Sequence, residues 1–166
     1  MKLDRPVREV RQFRDSKLYR PLARTLRVYN RRLIEALHAR GFSDFSPAFP
    51  PLLSNLDTRG TRIGVLALRA GVTRQAAGQL LREIERAGYV QRRPAPEDAR
   101  ASIIQFTPRG RELLANVLEL VGEIEAQFAE VLGARELERV RVSLSRLADA
   151  IDPSGAFGSV DEKEDV

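Results

Sequence analysis

Residues 73–107 constrain this chain more than any other stretch. They read TRQAAGQLLREIERAGYVQRRPAPEDARASIIQFT. Thr73 is placed to cap a helix running to about Ala87, and Gly88 stops it. Tyr89–Arg93 then reads as a strand, Pro94–Asp98 as a turn, and Ala101–Phe106 as a second strand. A lone two-stranded ribbon is barely stable in water, so this one must lean on helices. Just upstream, Thr61 is placed to cap the helix IGVLALRA, which Gly71 ends. Two helices joined by the tight turn Ala70-Gly71-Val72 have helix-turn-helix spacing.

The second of these helices has two unlike faces. Ala77, Leu80, Leu81 and Ile84 fall on one side, and Arg74, Gln75, Gly78, Gln79 and Arg82 on the other. Arginine and glutamine make paired hydrogen bonds to guanine and adenine edges in the major groove. Arg74, Gln75 and Gln79, with Ala76 beside them, occupy the first turns, the part of such a helix that meets bases. Thr73, a cap residue able to reach a phosphate, and Thr61, the cap of the preceding helix, are further candidates. Arg82, Arg92 and Arg93 suit phosphate contacts, which give affinity without sequence information. Arg100 on the hairpin suits a minor groove, with Asp98 pairing and orienting it. Gly78 serves either close approach to a partner or tight packing on a neighbouring helix.

The flanks agree with this reading. Leu18, Leu22, Leu26, Tyr29, Leu33 and Leu37 form one apolar stripe of a long first helix that ends by Gly41. Ser46-Pro47 reads as a cap followed by proline at the first position of a short helix reaching about Asn55. Thr107-Pro108 opens another long helix, Gly133 breaks it, and a last helix carries Leu137, Val140, Leu144, Leu147 and Ile151. Charge is segregated: residues 1–40 hold twelve Lys/Arg against four Asp/Glu, and residues 60–112 ten against five. A basic surface favours a polyanion. On the first helix Arg20, Arg24, Arg27 and Arg31 form a row, read as a solvated face or as a surface for DNA flanks or an anionic ligand. The 166 residues include no cysteine, which removes disulfides and thiolate metal sites; the one histidine, His38, reads as a surface or packing residue, so neither a histidine-rich metal centre nor a serine–histidine triad is expected, and no cofactor. No glycine-rich phosphate loop appears. Neither a signal peptide nor a membrane span is visible, so the cytoplasm is the expected compartment.

Residues 57–116 resemble the MarR family of winged-helix transcriptional regulators. The wing pattern of that family, Asp-x-Arg followed after five residues by Leu-Thr, stands here as Asp98-Ala99-Arg100, ASIIQ, and Phe106-Thr107, with phenylalanine in place of leucine. VTRQAAGQLLREIERAGYVQRRP and TPRGRELL are similar to the family as well, and the flanking helices extend the likeness over roughly residues 15–151. The fold so implied is mainly α with a small β-hairpin wing: a winged helix-turn-helix in an intertwined homodimer joined through its N- and C-terminal helices. The expected organisation is an N-terminal dimerisation and effector region over residues 15–56, a DNA-binding region over 57–107, C-terminal dimerisation helices over 108–151, and a disordered acidic tail over 152–166. The resemblance implies a sequence-specific regulator, most often a repressor, on a pseudo-palindromic site in double-stranded DNA. It also implies release by a small aromatic or anionic effector, for which Tyr29, Phe45, Phe49 and Leu53 are candidate pocket residues or plain core. The alternatives are a dimeric winged-helix protein that organises DNA without an effector and a winged helix used for protein contacts; an enzyme is not expected.

Overall fold

The computed structural model describes residues 17–95 and 98–152, and no side chain from 95 to 101. The expected acidic tail, beyond Asp152, lies outside the described residues, as do the side chains of Asp98 and Arg100. The elements in chain order are α1 (Tyr19–Ala39), α2 (Pro50–Leu53), β1 (Thr61–Arg62), α3 (Ile63–Arg69), α4 (Arg74–Arg86), β2 (Val90–Ala95), β3 (Asp98–Phe106), α5 (Pro108–Leu132) and α6 (Ala134–Ile151). The chain is mainly helical, with one small antiparallel sheet ordered β1-β3-β2.

The helix boundaries follow from local chemistry. Thr73 caps α4 by accepting a hydrogen bond from the Ala76 N–H at 3.1 Å, and Thr107 caps α5 through Gly110 N–H at 3.0 Å. Each satisfies one of the backbone donors that a helix start leaves without a partner. Gly71 and Gly88 end their helices at φ values of +64° and +78°, where a side chain would be strained.

Three expectations are corrected. Thr61 does not cap α3; it lies in β1 opposite Ile104, and Arg62 occupies the cap position without a side-chain bond. Its buried hydroxyl donates to Asp57 Oδ2 at 2.8 Å and accepts from the Asp57 N–H at 2.9 Å. Ser46 does not cap a helix either. It accepts from the Ala48 N–H at 3.3 Å in a local turn, and α2 starts only at Pro50, with proline supplying its first positions. Finally, the ribbon is longer than expected. β2 runs through Pro94 to Ala95, which pairs with Asp98 after a register shift between Pro94 and Ala95. Proline is tolerated at such an irregularity because no ladder donor is needed there.

The core is continuous from the long helices into the winged region. Leu37 of α1, Leu52 of α2, Leu66 of α3, Leu81 and Ile84 of α4, Tyr89, and Ile104 of β3 are all at most 2% exposed. Phe42, Phe45 and Phe49 gather around the Tyr89 ring, with centroids 6.0–6.3 Å from it. Such inclined ring pairs stabilise beyond the area they bury. At the edge of this cluster the Tyr89 hydroxyl donates to Asp44, both of whose carboxylate oxygens also accept from Arg109 Nη2, at 2.8 and 2.9 Å. The Arg109 guanidinium stands 4.9 Å over the Tyr89 ring. One carboxylate thereby ties the loop after α1 to Tyr89, just past the end of α4, and to the start of α5.

Burial, and then the hydrogen bond and charge of Asp44, push the Tyr89 phenol far above its usual value, against the opposing pull of Arg109. A group whose pKa is raised on folding contributes fully below its unfolded value, about 10, and loses that contribution as pH climbs past it. Urea unfolding between pH 8.5 and 11.5 is therefore expected to show stability falling more steeply in the wild type than in Tyr89→Phe. Parallel profiles would remove this phenol from the ledger. Tyr29, also raised by burial and by Glu125, is common to both proteins.

Candidate nucleic-acid interface

α3 and α4 pack together across the turn Ala70-Gly71-Val72, and β1 and β3 close the back of the pair. The inner face of α4 buries Ala77, Leu81 and Ile84, with Leu80 partly covered. Its outer face presents Arg74, Gln75, Ala76, Gln79 and Arg82 to solvent. No hydrogen bond or ion pair occupies the side chains of Arg74, Gln75, Gln79 or Arg82 among the described residues. These groups keep all their donors for an incoming partner.

Arg86 belongs to the same face and was passed over in the sequence. It follows Gln75, Gln79 and Arg82 at spacings of four, three and four and is exposed. It stands in the last turn of α4, where a cation also complements the helix dipole. The 4-3-4 spacing was the available signal.

Gly78 is not on the open face. It is buried, and a Cβ added there would lie 3.6 Å from Ile63 Cδ1 and 3.9 Å from Arg82 Nη1, ordinary contact distances. Its role is therefore packing against the start of α3. Since the space exists and the helix gains from alanine, Gly78→Ala is expected to stabilise the protein by about 1 kcal/mol in urea unfolding while leaving DNA affinity unchanged. A large loss of DNA affinity would return Gly78 to the reading face.

The wing lies beside this helix. Arg92 and Arg93 sit on β2, paired with Ile104 and Ile103 of β3, and both are exposed. Arg92 Nε already lies 3.4 Å from Glu85 Oε2, so a phosphate must compete with that carboxylate. Asp98 and Arg100 lie on β3, with their side chains outside the described set. Thr61 is 4% exposed and committed to Asp57, which withdraws it from the surface. Asp57 in turn holds Arg69 Nη1 at 2.9 Å, so this cluster braces α3 from behind.

A second feature sits between the long helices. A cleft of about 440 Å³ opens between α1, α2 and α5. Tyr29, Phe45 and Leu53 line it, together with Phe106 and Leu113. Phe49 does not; it is 3% exposed and packs edge-on against Phe45 at 5.6 Å, a core residue. Tyr29 also meets Phe128 of α5 edge-on at 5.9 Å.

Comparison with known proteins agrees with this geometry. Residues 43–101 match the model of the MarR family. No curated protein sequence matches the chain. Among solved structures, it is similar to a transcriptional repressor, CouR, bound to a 23-mer DNA duplex, with 24% identity and a TM-score of 0.67 over 81% of this chain and 94% of that one. It is also similar to the reduced form of MarR from E. coli, with 22% identity and a TM-score of 0.66 over 79% and 96%. A MarR transcriptional regulator from Methanosarcina mazei Go1 matches at 15% identity and a TM-score of 0.68 over 80% and 94%. At these identities the likeness establishes the fold, the winged helix of MarR-type regulators.

Proposed function

Starting from a chain with the MarR-type winged-helix fold and a family match across its helix-turn-helix, we propose that it is a sequence-specific DNA-binding transcriptional regulator acting as a homodimer. The observation that carries this is the outer face of α4, where arginine and glutamine side chains without internal partners stand on the helix that follows the turn. Arg74, Gln75 and Gln79 read base edges, with Ala76 close to the groove floor and Thr73 able to reach a flanking phosphate. Arg82, Arg86, Arg92 and Arg93 hold phosphates, and Arg100, oriented by Asp98, probes the adjacent minor groove.

Exposed apolar surface supports the dimer. No residue of α6 is buried, and Val140, Val142, Leu144, Leu147 and Ile151 are 37–81% exposed. Leu18, Leu22 and Leu26 extend the apolar surface along the start of α1. Patches of this kind on a small protein are normally covered. A second copy covers them symmetrically and sets two winged regions about one DNA turn, ~10 bp, or a multiple of it, apart. On this reading the site is pseudo-palindromic, regulation is repression, and a small aromatic or anionic effector seated in the α1–α2–α5 cleft releases the DNA.

Selection of bound sequences from a random DNA pool, with sedimentation of the free protein, tests the reading. A two-fold symmetric motif and a dimer at micromolar concentration are expected. A featureless pool with tight, strongly salt-dependent binding would favour a DNA-organising role instead.

A further inference from the structure

The residues lining the cleft are almost wholly apolar. Tyr29, Asn30 and Ser54 supply its polar groups, and none of its side chains carries a charge at neutral pH; burial, then Glu125, raises the Tyr29 phenol further from ionisation. An effector lodged there has its apolar body satisfied, but any anionic group it bears has no cation inside the cleft to meet.

Cations stand on the other flank of α1. Arg24, Arg27 and Arg31 line a groove of about 710 Å³ that shares Asn30 and Pro47 with the cleft; His38 also lines it, its Nε2 held 2.9 Å from the Phe45 carbonyl oxygen. The groove contains a single carboxylate, Glu35, which reaches Arg31 only at 3.9 Å with both side chains 68% exposed. Arg24 and Arg27 have no ionic partner among the described residues. Arginines three and four apart on one helix repel each other, so this row is unfavourable for α1 unless an anion joins it. Their forked donors match phosphate oxygens in both shape and charge.

We propose that cleft and groove form one composite site for an amphiphilic anion. Its apolar body fills the cleft, it crosses the rim at Asn30 and Pro47, and Arg27 and Arg31, with Arg24 behind them, clamp a phosphate-class head group. This rests on the effector reading above and names the ligand chemistry of that site.

The test is calorimetry on the full chain, without DNA, using decyl phosphate, 1-decanol and inorganic phosphate below micellar concentrations. Decyl phosphate is expected to bind at least about tenfold more tightly than decanol, through the charge-assisted contacts, with inorganic phosphate weaker than either. In the Arg27→Gln/Arg31→Gln variant, whose side chains are exposed, that advantage should fall to roughly twofold or less while decanol binding is unchanged. Leu114→Trp, which fills the cleft, should weaken both alkyl ligands. Equal binding of decanol and decyl phosphate overturns the proposal. So does a double variant that keeps the phosphate preference but loses affinity for DNA of every sequence, which would make the row a DNA-backbone surface. Decyl phosphate that binds as described without changing DNA affinity upholds the composite site and removes the effector role instead.

Discussion

Gly110→Ala is expected to destabilise the protein by about 3 kcal/mol or more, a large fraction of what holds a domain of this size together. The reason lies at the junction where α5 begins. Thr107 accepts the Gly110 N–H, donates its hydroxyl to the Gly88 carbonyl at 2.5 Å, and sends its own N–H to the Tyr89 carbonyl at 3.0 Å. These bonds press the first turn of α5 onto the end of α4. They do so with no room for a side chain: a Cβ on Gly110 would stand 1.9 Å from Tyr89 O, 2.9 Å from Tyr89 C and 3.0 Å from Phe106 Cδ1. Two of those atoms are backbone, so the clash is relieved only by moving α5 off Tyr89. That movement would strain the Thr107 bonds and the Asp44–Tyr89–Arg109 cluster together. Alanine's better helix propensity, worth about 1 kcal/mol, offsets part of the loss. The control lies on the same helix. Gly122 has nothing within 4 Å of an added Cβ, so Gly122→Ala should be neutral or stabilising by about 1 kcal/mol. Urea midpoints at unchanged m-values measure both. A Gly110→Ala protein within 1 kcal/mol of wild type would mean that the junction yields far more easily than its packing implies.

How much of this was legible in the sequence depended on the range of the interaction involved. The α4 start and stop, Thr73 and Gly88, act on backbone groups within a few residues, and both read correctly. The Thr107-Pro108 start of α5 read correctly for the same reason, as did the apolar face Ala77, Leu81, Ile84. Thr61 misled because a threonine ahead of an apolar run has the appearance of a cap. What decides its place is Ile104, forty-three residues later, and the Asp57 carboxylate, and neither leaves a local pattern. Ser46 misled because Pro50 and Pro51, not Pro47, set the first turn of α2. Gly78 was ambiguous on a helical wheel, since the wheel does not show that Ile63 of the preceding helix closes over it. The clusters that tie the parts together, Asp44 with Tyr89 and Arg109, and Arg40 with Glu119 and Glu123, join residues 45 to 83 positions apart. No periodicity or spacing announces such pairs. The aromatic residues were ambiguous for a related reason: one that lines a cleft and one that fills a core look alike until the neighbours are in place, and Phe45 does both while Phe49 lies in the core alone.

Arg74→Ala and Gln79→Ala should each cost about 1–3 kcal/mol in binding to the preferred DNA site and should relax the choice of base at one position. Both side chains are exposed and free of internal partners, so truncation removes no folded-state contact, and the loss belongs to the complex alone. That separates them from Arg92. Arg92→Ala is expected to weaken binding to all sequences and to flatten the salt dependence by about one counterion, because a phosphate contact carries no base information. The Glu85 carboxylate, 3.4 Å from Arg92, sharpens the distinction. Glu85→Gln frees that guanidinium and removes a charge that repels phosphate, so it should tighten binding to specific and random DNA alike. A reader and an anchor thus differ in the ratio of specific to random affinity, measured by titration at two salt concentrations. If Arg74→Ala and Gln79→Ala lower both affinities equally, the outer face of α4 grips the backbone and does not read sequence. Specificity would then have to come from the wing or from the shape of the DNA. The salt slope separates a reader from an anchor: a lost base contact leaves it unchanged, whereas a lost phosphate contact lowers it whatever the sequence.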